Sequence, residues 1–269
     1  MTTKHTIAII GAGNLGEAIA KGIAAAGVAK AKNIYLTRRH SEKLDHFKNQ
    51  KFKITSDNVE AVKGSDYIFL CVQPSQLAAV LKEINPVLDP DRHLLISTIS
   101  GLETATIQQQ LENPVPIVRS MPNTAVAIEE SMTCLCSNDA TSDQLKEVQK
   151  MFDALGETLI IEENLMKAAT VLAASGIAFF LRYIRAATQG GIQLGFHAEE
   201  AQKIAMQTAR GAATLLVEEK NHPEIEIDKV TTPRGCTISG LNEMEHQGLS
   251  SALIKGIMVS FEKISGITE

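Results

Sequence analysis

The chain has no excess of positive charge. Its 269 residues carry 26 Lys and Arg against 31 Asp and Glu, a formal net charge of −5. The electrostatic footprint of a nucleic-acid binder is therefore missing. No uninterrupted apolar run is read as long enough to span a membrane, and Met1-Thr2-Thr3-Lys4-His5 opens without a signal-peptide core. A cytoplasmic protein is the expectation. Cysteine is scarce: Cys71, Cys134, Cys136 and Cys236 fit no zinc framework, and a reducing compartment argues against disulfides. Cys134 and Cys136 alternate in an expected strand and are read as buried thiols facing one side. The seven histidines show no H-x-x-x-H pair or other ligand spacing, so no metal site is expected. No Ser–His or His–Asp pair stands at a spacing suited to nucleophilic catalysis.

What is present begins at once. Ile7-Ala8-Ile9-Ile10 is a short apolar run, Gly11-Ala12-Gly13-Asn14-Leu15-Gly16 is G-x-G-x-x-G, and Glu17 to Ile23 has an amphipathic helical pattern. In a strand–turn–helix of this kind Gly11 takes the tight turn, Gly13 lets a pyrophosphate approach, and Gly16 lets helix and strand pack closely. The phosphates would meet the unpaired N–H groups of the helix N-terminus. The competing reading is a glycine turn that only packs helix on strand. The second strand, Asn33 to Thr37, argues against it. An NAD site places a carboxylate about 20 residues past the glycines, whereas this chain has Thr37-Arg38-Arg39-His40. Two guanidiniums suit a 2′-phosphate, so NADPH is expected in preference to NADH, with a merely solvated basic strand end as the alternative.

Short apolar runs alternate with helical patterns as far as residue 162. Strands are expected at Ile7–Ile10, Ile34–Thr37, Phe52–Ile54, Tyr67–Val72, Leu94–Thr98, Pro116–Met121, Met132–Cys136 and Thr158–Ile161. Helices are expected at Pro74–Ile84, Thr104–Leu111 and Ser142–Leu155. From Glu163 no strand pattern remains, and helices are expected at Leu165–Thr188, Ala198–Glu219, Ser239–Gln247 and Ser250–Ile264. The fold class is α/β: a Rossmann-like, mostly parallel sheet domain over 1–162, then an all-α domain over 163–269. The first long helix is too apolar for a surface helix, which favours a homodimer through the helical half.

Ligands of open α/β sheets bind outside the carboxyl ends of the strands. The segments there include Asn58, Cys71-Val72-Gln73-Pro74, Ile99-Ser100-Gly101 and Asn123, whose amide is expected to be free. Each could instead be an ordinary turn. In the helical half, Thr231-Thr232-Pro233-Arg234-Gly235-Cys236-Thr237-Ile238-Ser239-Gly240 is a polar turn opening into a helix. Free N–H groups at Cys236 and Thr237 would suit a small carboxylate, and the Thr237 hydroxyl a substrate nitrogen. Plain helix capping by Thr237 or Ser239 is the alternative.

With these motifs in order, and with Arg119-Ser120-Met121-Pro122-Asn123-Thr124 and Ala174-Ser175-Gly176-Ile177-Ala178 between them, the chain resembles the pyrroline-5-carboxylate reductases from about Ile7 to Ile264. The resemblance implies a Rossmann-like domain followed by a helical substrate-binding and dimerisation domain. It also implies hydride transfer from NADPH to L-1-pyrroline-5-carboxylate, giving L-proline in the last step of proline biosynthesis, with the active site between the two halves. By position it implies cofactor contacts at Ile10, Gly11, Ala12, Gly13, Asn14 and Leu15, at Arg38 and Asn58, at Cys71 to Pro74, and at Ile99, Ser100 and Gly101; the glycine motif, the second strand and the sheet-end loops themselves add Gly16, Arg39 and Asn123. Substrate contacts are implied at Glu163, Ser175, Gly176, Thr232, Cys236 and Thr237, with Thr237 as the catalytic side chain, and Gly235 of the same turn is added from its place in it. The chain departs from the family pattern at Gln73, Ile177, Phe179, Arg234 and Cys236. Two other readings stay open: another NADP-dependent reductase, acting on a different imine or on hydroxyacids, and a non-catalytic NADPH-binding regulatory module. A hydroxyacid reductase would need an asparagine after a helical lysine, and Lys167 is followed by Ala168-Ala169-Thr170-Val171. A non-catalytic NADPH-binding module would have no use for the Thr232 to Gly240 turn.

Overall fold

Alternate side chains of the strands go to two different cores, one on each face of a single sheet. The structure is a computed structural model and describes residues 5–266; residues 1–4, read above for a leader, and 267–269 lie outside. The strands are β1 (Ile7–Ile10), β2 (Ile34–Thr37), β3 (Lys53–Thr55), β4 (Tyr67–Leu70), β5 (Leu94–Ser97), β6 (Ile117–Met121), β7 (Ser131–Cys136) and β8 (Gly156–Ile160), in the order β3-β2-β1-β4-β5-β6-β7-β8. β1 to β6 are parallel; β7 runs antiparallel to β6, and β8 parallel to β7.

On one face Ile7, Ile9, Leu36, Phe69 and Val118 pack with Ile19 and Ile23 of α1 (Asn14–Ala25) and Phe152 of α5 (Ser142–Asp153). On the other, Ala8, Ile10, Ile68, Leu70 and Leu95 pack with Leu77, Leu81 and Ile84 of α3 (Leu77–Ile84). Burial on both faces explains why the strands read as almost unbroken apolar runs. Each fully buried aliphatic side chain contributes about 1.5–3 kcal/mol. Between them α2 (Asn58–Lys63) and α4 (Thr104–Gln108) are short. Asn58, one of the expected sheet-end segments, opens α2, where the Asp57 carboxylate accepts from Glu60 N at 2.9 Å as the N-cap. Cys134 and Cys136 are buried together in a third cluster with Met121 and Met166.

No strand occurs among the described residues after 162. The expected Leu165–Thr188 helix is divided into α6 (Met166–Ala169), a π-helical stretch at Thr170–Ser175 and α7 (Gly176–Gln193). There follow α8 (Ala198–Glu219), the unanticipated α9 (Pro223–Val230), α10 (Cys236–His246) and α11 (Leu249–Ser265). By contacts, residues to Ser175 with those from Phe261 onward form one unit, and Gly176–Ser260 a second.

Glu163–Gln193 forms a helix of 31 residues with a mean hydropathy of 1.5 in its most apolar stretch, long and apolar enough to cross a membrane by length and composition. Scattered polar residues such as Thr170, Ser175 and Arg182 interrupt the apolar run in sequence, yet the mean stays high. Only 22% of that stretch is buried within the chain.

Candidate functional site

The turn after β1 is built around its glycines. Gly11 has φ +92°, and a Cβ there would stand 2.6 Å from Val72 Cγ1 and 2.9 Å from Cys71 O. A Cβ on Gly16 would stand 2.8 Å from Gly11 O and 3.1 Å from Ile9 Cγ2, so α1 lies directly on the strand. Gly13 differs: a Cβ there would meet nothing within 4 Å. No contact within the protein calls for glycine at that position, whereas a ligand pressed against the backbone would. Gly11 N and Ala12 N both donate to Thr37 O, at 3.2 and 2.8 Å, and fasten the turn to β2. Glu17 N donates to Gly13 O at 2.8 Å, the first bond of α1, and no side chain caps the helix. The N–H groups of Asn14, Leu15 and Gly16 therefore have no acceptor among the described residues. They form a cradle that fits a dinucleotide pyrophosphate.

Arg38 follows β2 and folds back over this turn. Its Nη1 is 3.2 Å from Ala12 O and 3.4 Å from Glu17 Oε1. His46 Nε2 is 3.3 Å from the other Glu17 oxygen. Arg39 is exposed. Glu17 escapes the sequence reading because an acid in a first helical turn looks like an ordinary complement to the helix dipole. The carboxylate missing from the end of β2 thus arrives from α1.

The other predicted cofactor residues also follow the carboxyl ends of parallel strands. Asn58 Oδ1 accepts from Thr37 Oγ1 at 2.6 Å, and its Nδ2 donates to Glu83 Oε2 at 2.8 Å. Cys71 N donates to Ile10 O at 2.8 Å. Burial pushes the Cys71 thiol up to about 12 despite a hydrogen bond with Thr98, so it stays neutral. Val72 covers Gly11, and Gln73 N donates to Gln76 Oε1 at 3.1 Å at the Pro74 turn. Ile99 is buried, Ser100 half-buried, and Gly101 turns the chain at φ +80°. The expected free amide of Asn123 is corrected: Oδ1 accepts from Ala125 N at 2.9 Å, and Nδ2 donates to Ala173 O at 3.2 Å. That carbonyl lies in the π-helical stretch. Ser175 ends this stretch and Gly176 is buried at its junction with α7.

Glu163 is at the hub of a polar cluster. Its Oε1 accepts from Thr104 N and Thr104 Oγ1, each at 2.7 Å, and from Arg119 Nη1 at 2.9 Å, while Oε2 accepts from Asn138 Nδ2. The Arg119 and Glu163 side chains are 3% and 15% exposed. Burial works to raise the Glu163 carboxyl, but the Thr104 and Arg119 hydrogen bonds together hold it below its ordinary value. Both its oxygens are thus engaged within the protein. Arg119, Thr104 and Asn138 were not legible as its partners.

In the second unit, Thr232 to Gly235 form a turn in which Gly235 N donates to Thr232 O at 2.9 Å. Arg234 takes φ +62°, a left-handed conformation that glycine adopts without strain. Gly235 caps α10 with no side-chain bond, and a Cβ on it would lie 2.5 Å from Thr232 Oγ1. The capping alternative is corrected: α10 starts at Cys236, Thr237 sits inside its first turn, and Ser239 Oγ donates to Gly235 O at 3.2 Å. The N–H groups of Cys236 and Thr237 have no acceptor among the described residues, and Thr237 is exposed. This is a place for an anion with a hydroxyl beside it.

Residues 163–267 match the family described as pyrroline-5-carboxylate reductase dimerisation, and residues 6–101 match NADP oxidoreductase, coenzyme F420-dependent. Pyrroline-5-carboxylate reductase 2 of Dictyostelium discoideum is 46% identical over 281 residues, which cover 98% of this chain and 94% of that protein. Pyrroline-5-carboxylate reductase 1 of the same organism is also 46% identical, over 97% of this chain; the chain spans about half of its length, 49%. The crystal structure of the Plasmodium falciparum pyrroline carboxylate reductase with NADP bound superposes with a TM-score of 0.90, at 26% identity over 98% of both chains. The chain belongs to the pyrroline-5-carboxylate reductase family.

Proposed function

We propose that this chain reduces L-1-pyrroline-5-carboxylate to L-proline with NADPH. The observation that carries this reading is the start of α10, where free N–H groups of Cys236 and Thr237 stand beside the exposed Thr237 side chain. A carboxylate on the N–H groups and a ring nitrogen on the hydroxyl are the two polar features of that substrate. The relatives' names support the same substrate. A bound dihydronicotinamide would supply the hydride that the imine carbon needs. A protonated imine is already electrophilic, so the protein's own work is positioning and charge complementarity. Asn14, Leu15 and Gly16 would hold the pyrophosphate, Arg38 and Arg39 the 2′-phosphate, and the neutral Cys71 thiol adds no charge to the crevice. Glu163 holds Thr104 and Arg119 through Oε1, and its Oε2, with Asn138 as its one partner, keeps acceptor capacity for a substrate.

Residues 163–269 serve as the substrate-binding and dimerisation domain in this reading. The apolar side chains exposed on α7, Phe180 and Leu181 among them, would be covered by a second copy. A bilayer is the poorer partner: Arg182 and Arg185 are exposed on the same helix, and arginine at a bilayer centre costs about 2.5–3.5 kcal/mol even on the lenient scale. The function is tested by NADPH oxidation with pyrroline-5-carboxylate against a panel of ketoacids, and by NADP+ reduction with the corresponding hydroxyacids. Turnover with the imine alone is expected; turnover with a ketoacid or hydroxyacid and none with the imine would overturn the assignment.

A further inference from the structure

Dinucleotide folds choose their cofactor near the end of the second strand. A carboxylate there accepts hydrogen bonds from a ribose 2′-hydroxyl, or an arginine pairs with a 2′-phosphate. This chain brings both groups to the same place, and they hold each other. Arg38 Nη1 is 3.4 Å from Glu17 Oε1, and the two side chains are 34% and 19% exposed. The same Nη1 also donates to Ala12 O at 3.2 Å, within the glycine turn itself. Glu17 is fixed from its other side, since His46 Nε2 is 3.3 Å from Oε2. Its carboxylate therefore has a defined place beside the guanidinium.

We propose that Glu17 is a cofactor-discriminating residue: a counter-anion within the chain that competes with a 2′-phosphate for Arg38 and offers an acceptor to a 2′-hydroxyl. The inference rests on the nucleotide site proposed above and adds to it. A phosphate monoester carries about −1.5 to −2 charges at neutral pH. To pair with it, Arg38 must give up or share Glu17, and the Glu17 charge then faces the phosphate. A 2′-hydroxyl meets no such repulsion. Arg38 and Arg39 set the direction of preference toward NADPH, and Glu17 limits its size. The pair is partly solvated, so the effect is several-fold rather than orders of magnitude.

Binding of NADPH and of NADH to the full chain, without substrate, is read by dihydronicotinamide fluorescence. In Glu17→Gln the Kd for NADPH is expected to fall by about three- to fivefold, while that for NADH stays level or rises. Glu17→Ala, which puts the best helix former in the first turn of α1, should shift the ratio the same way and serves if the glutamine variant does not fold. In an Arg38→Ala background the competition for Arg38 is gone, and the Glu17→Gln shift should be smaller than in the wild type. An unchanged Kd ratio in both Glu17 variants would overturn the role of Glu17 and leave the nucleotide site standing. A wild-type chain that binds neither cofactor would overturn the nucleotide site and this inference together.

Discussion

Glu163 and Arg119 form an ion pair with 2.9 Å between Oε1 and Nη1, both side chains nearly out of solvent. Removing one member leaves the other buried without its countercharge, which costs about 3–5 kcal/mol. Glu163→Gln is therefore expected to lower stability by that order in urea unfolding. The pH dependence has a definite sign. The folded carboxyl lies below its ordinary value of 4.5. Its contribution is complete above the unfolded value and is lost as pH falls through the lower folded value. Wild type should weaken below about pH 4.5 more steeply than Glu163→Gln. At the proposed active site, Thr237→Ala should lower kcat/KM by at least about tenfold through one lost hydrogen bond to a charged group; an unchanged value would remove Thr237 from the mechanism. Arg38→Ser with Arg39→Asp should weaken NADPH binding far more than NADH binding, and equal losses would contradict a 2′-phosphate site. Gly11, Gly13 and Gly16 could be read from sequence because each answers a backbone constraint at fixed local spacing. The Arg38–Glu17 and Arg119–Glu163 pairs could not, since 21 and 44 residues separate the partners in the chain.

At the scale of elements, the sequence showed the longer helices and hid the irregular ones. α8 has the expected bounds because its 22 residues carry a full helical period. α2 and α9, of six and eight residues, are too short for periodicity and depend on N-caps at Asp57 and His222. The π-helical stretch has no hydrophobic period of its own to read, and the Asn123 bond to Ala173 O within it joins residues 50 apart in the chain. Packing also reverses one propensity rule. Gly22 lies inside α1, and a Cβ there would come within 2.1 Å of Val126 O. Gly→Ala in an exposed helix interior stabilises by about 1 kcal/mol. Here Gly22→Ala is expected to destabilise by about 1–3 kcal/mol through overpacking, as a thermal melt would show. A stabilised variant would mean that α1 does not rest on the turn after β6.

For the molecule as a whole, alternation of strands and helices was enough to give the α/β class and a largely parallel sheet. The reversal at β7 was present in the sequence but unread. The connection from Met121 to Ser131 is too short for a parallel crossover, which needs about a dozen residues or more. The number of chains in the particle is a separate question. Leu172, Phe180, Leu181, Leu253, Ile254 and Val259 are exposed in the single chain. More apolar surface is open than a solitary helical unit would keep in water. Light scattering should give at least twice the chain mass, and Phe180→Asp with Leu181→Asp should reduce it. A monomeric wild type at micromolar concentration would contradict the dimer.

The reversal of β7 also sets a length. β8 runs toward the end of the sheet where β6 begins, and Glu163 is anchored there by Arg119. Ten residues later Ala173 is tied to Asn123, just past the other end of β6. A helical rise of about 1.5 Å per residue makes that segment about 15 Å long, close to the length of a five-residue strand. The stretch from Glu163 to Ala173 is thus a strut cut to the sheet, with a fastening at each end. One residue added to it would swing the far fastening by about 100° around the helix axis. Surface loops in the same chain can lengthen at little cost; this helix cannot.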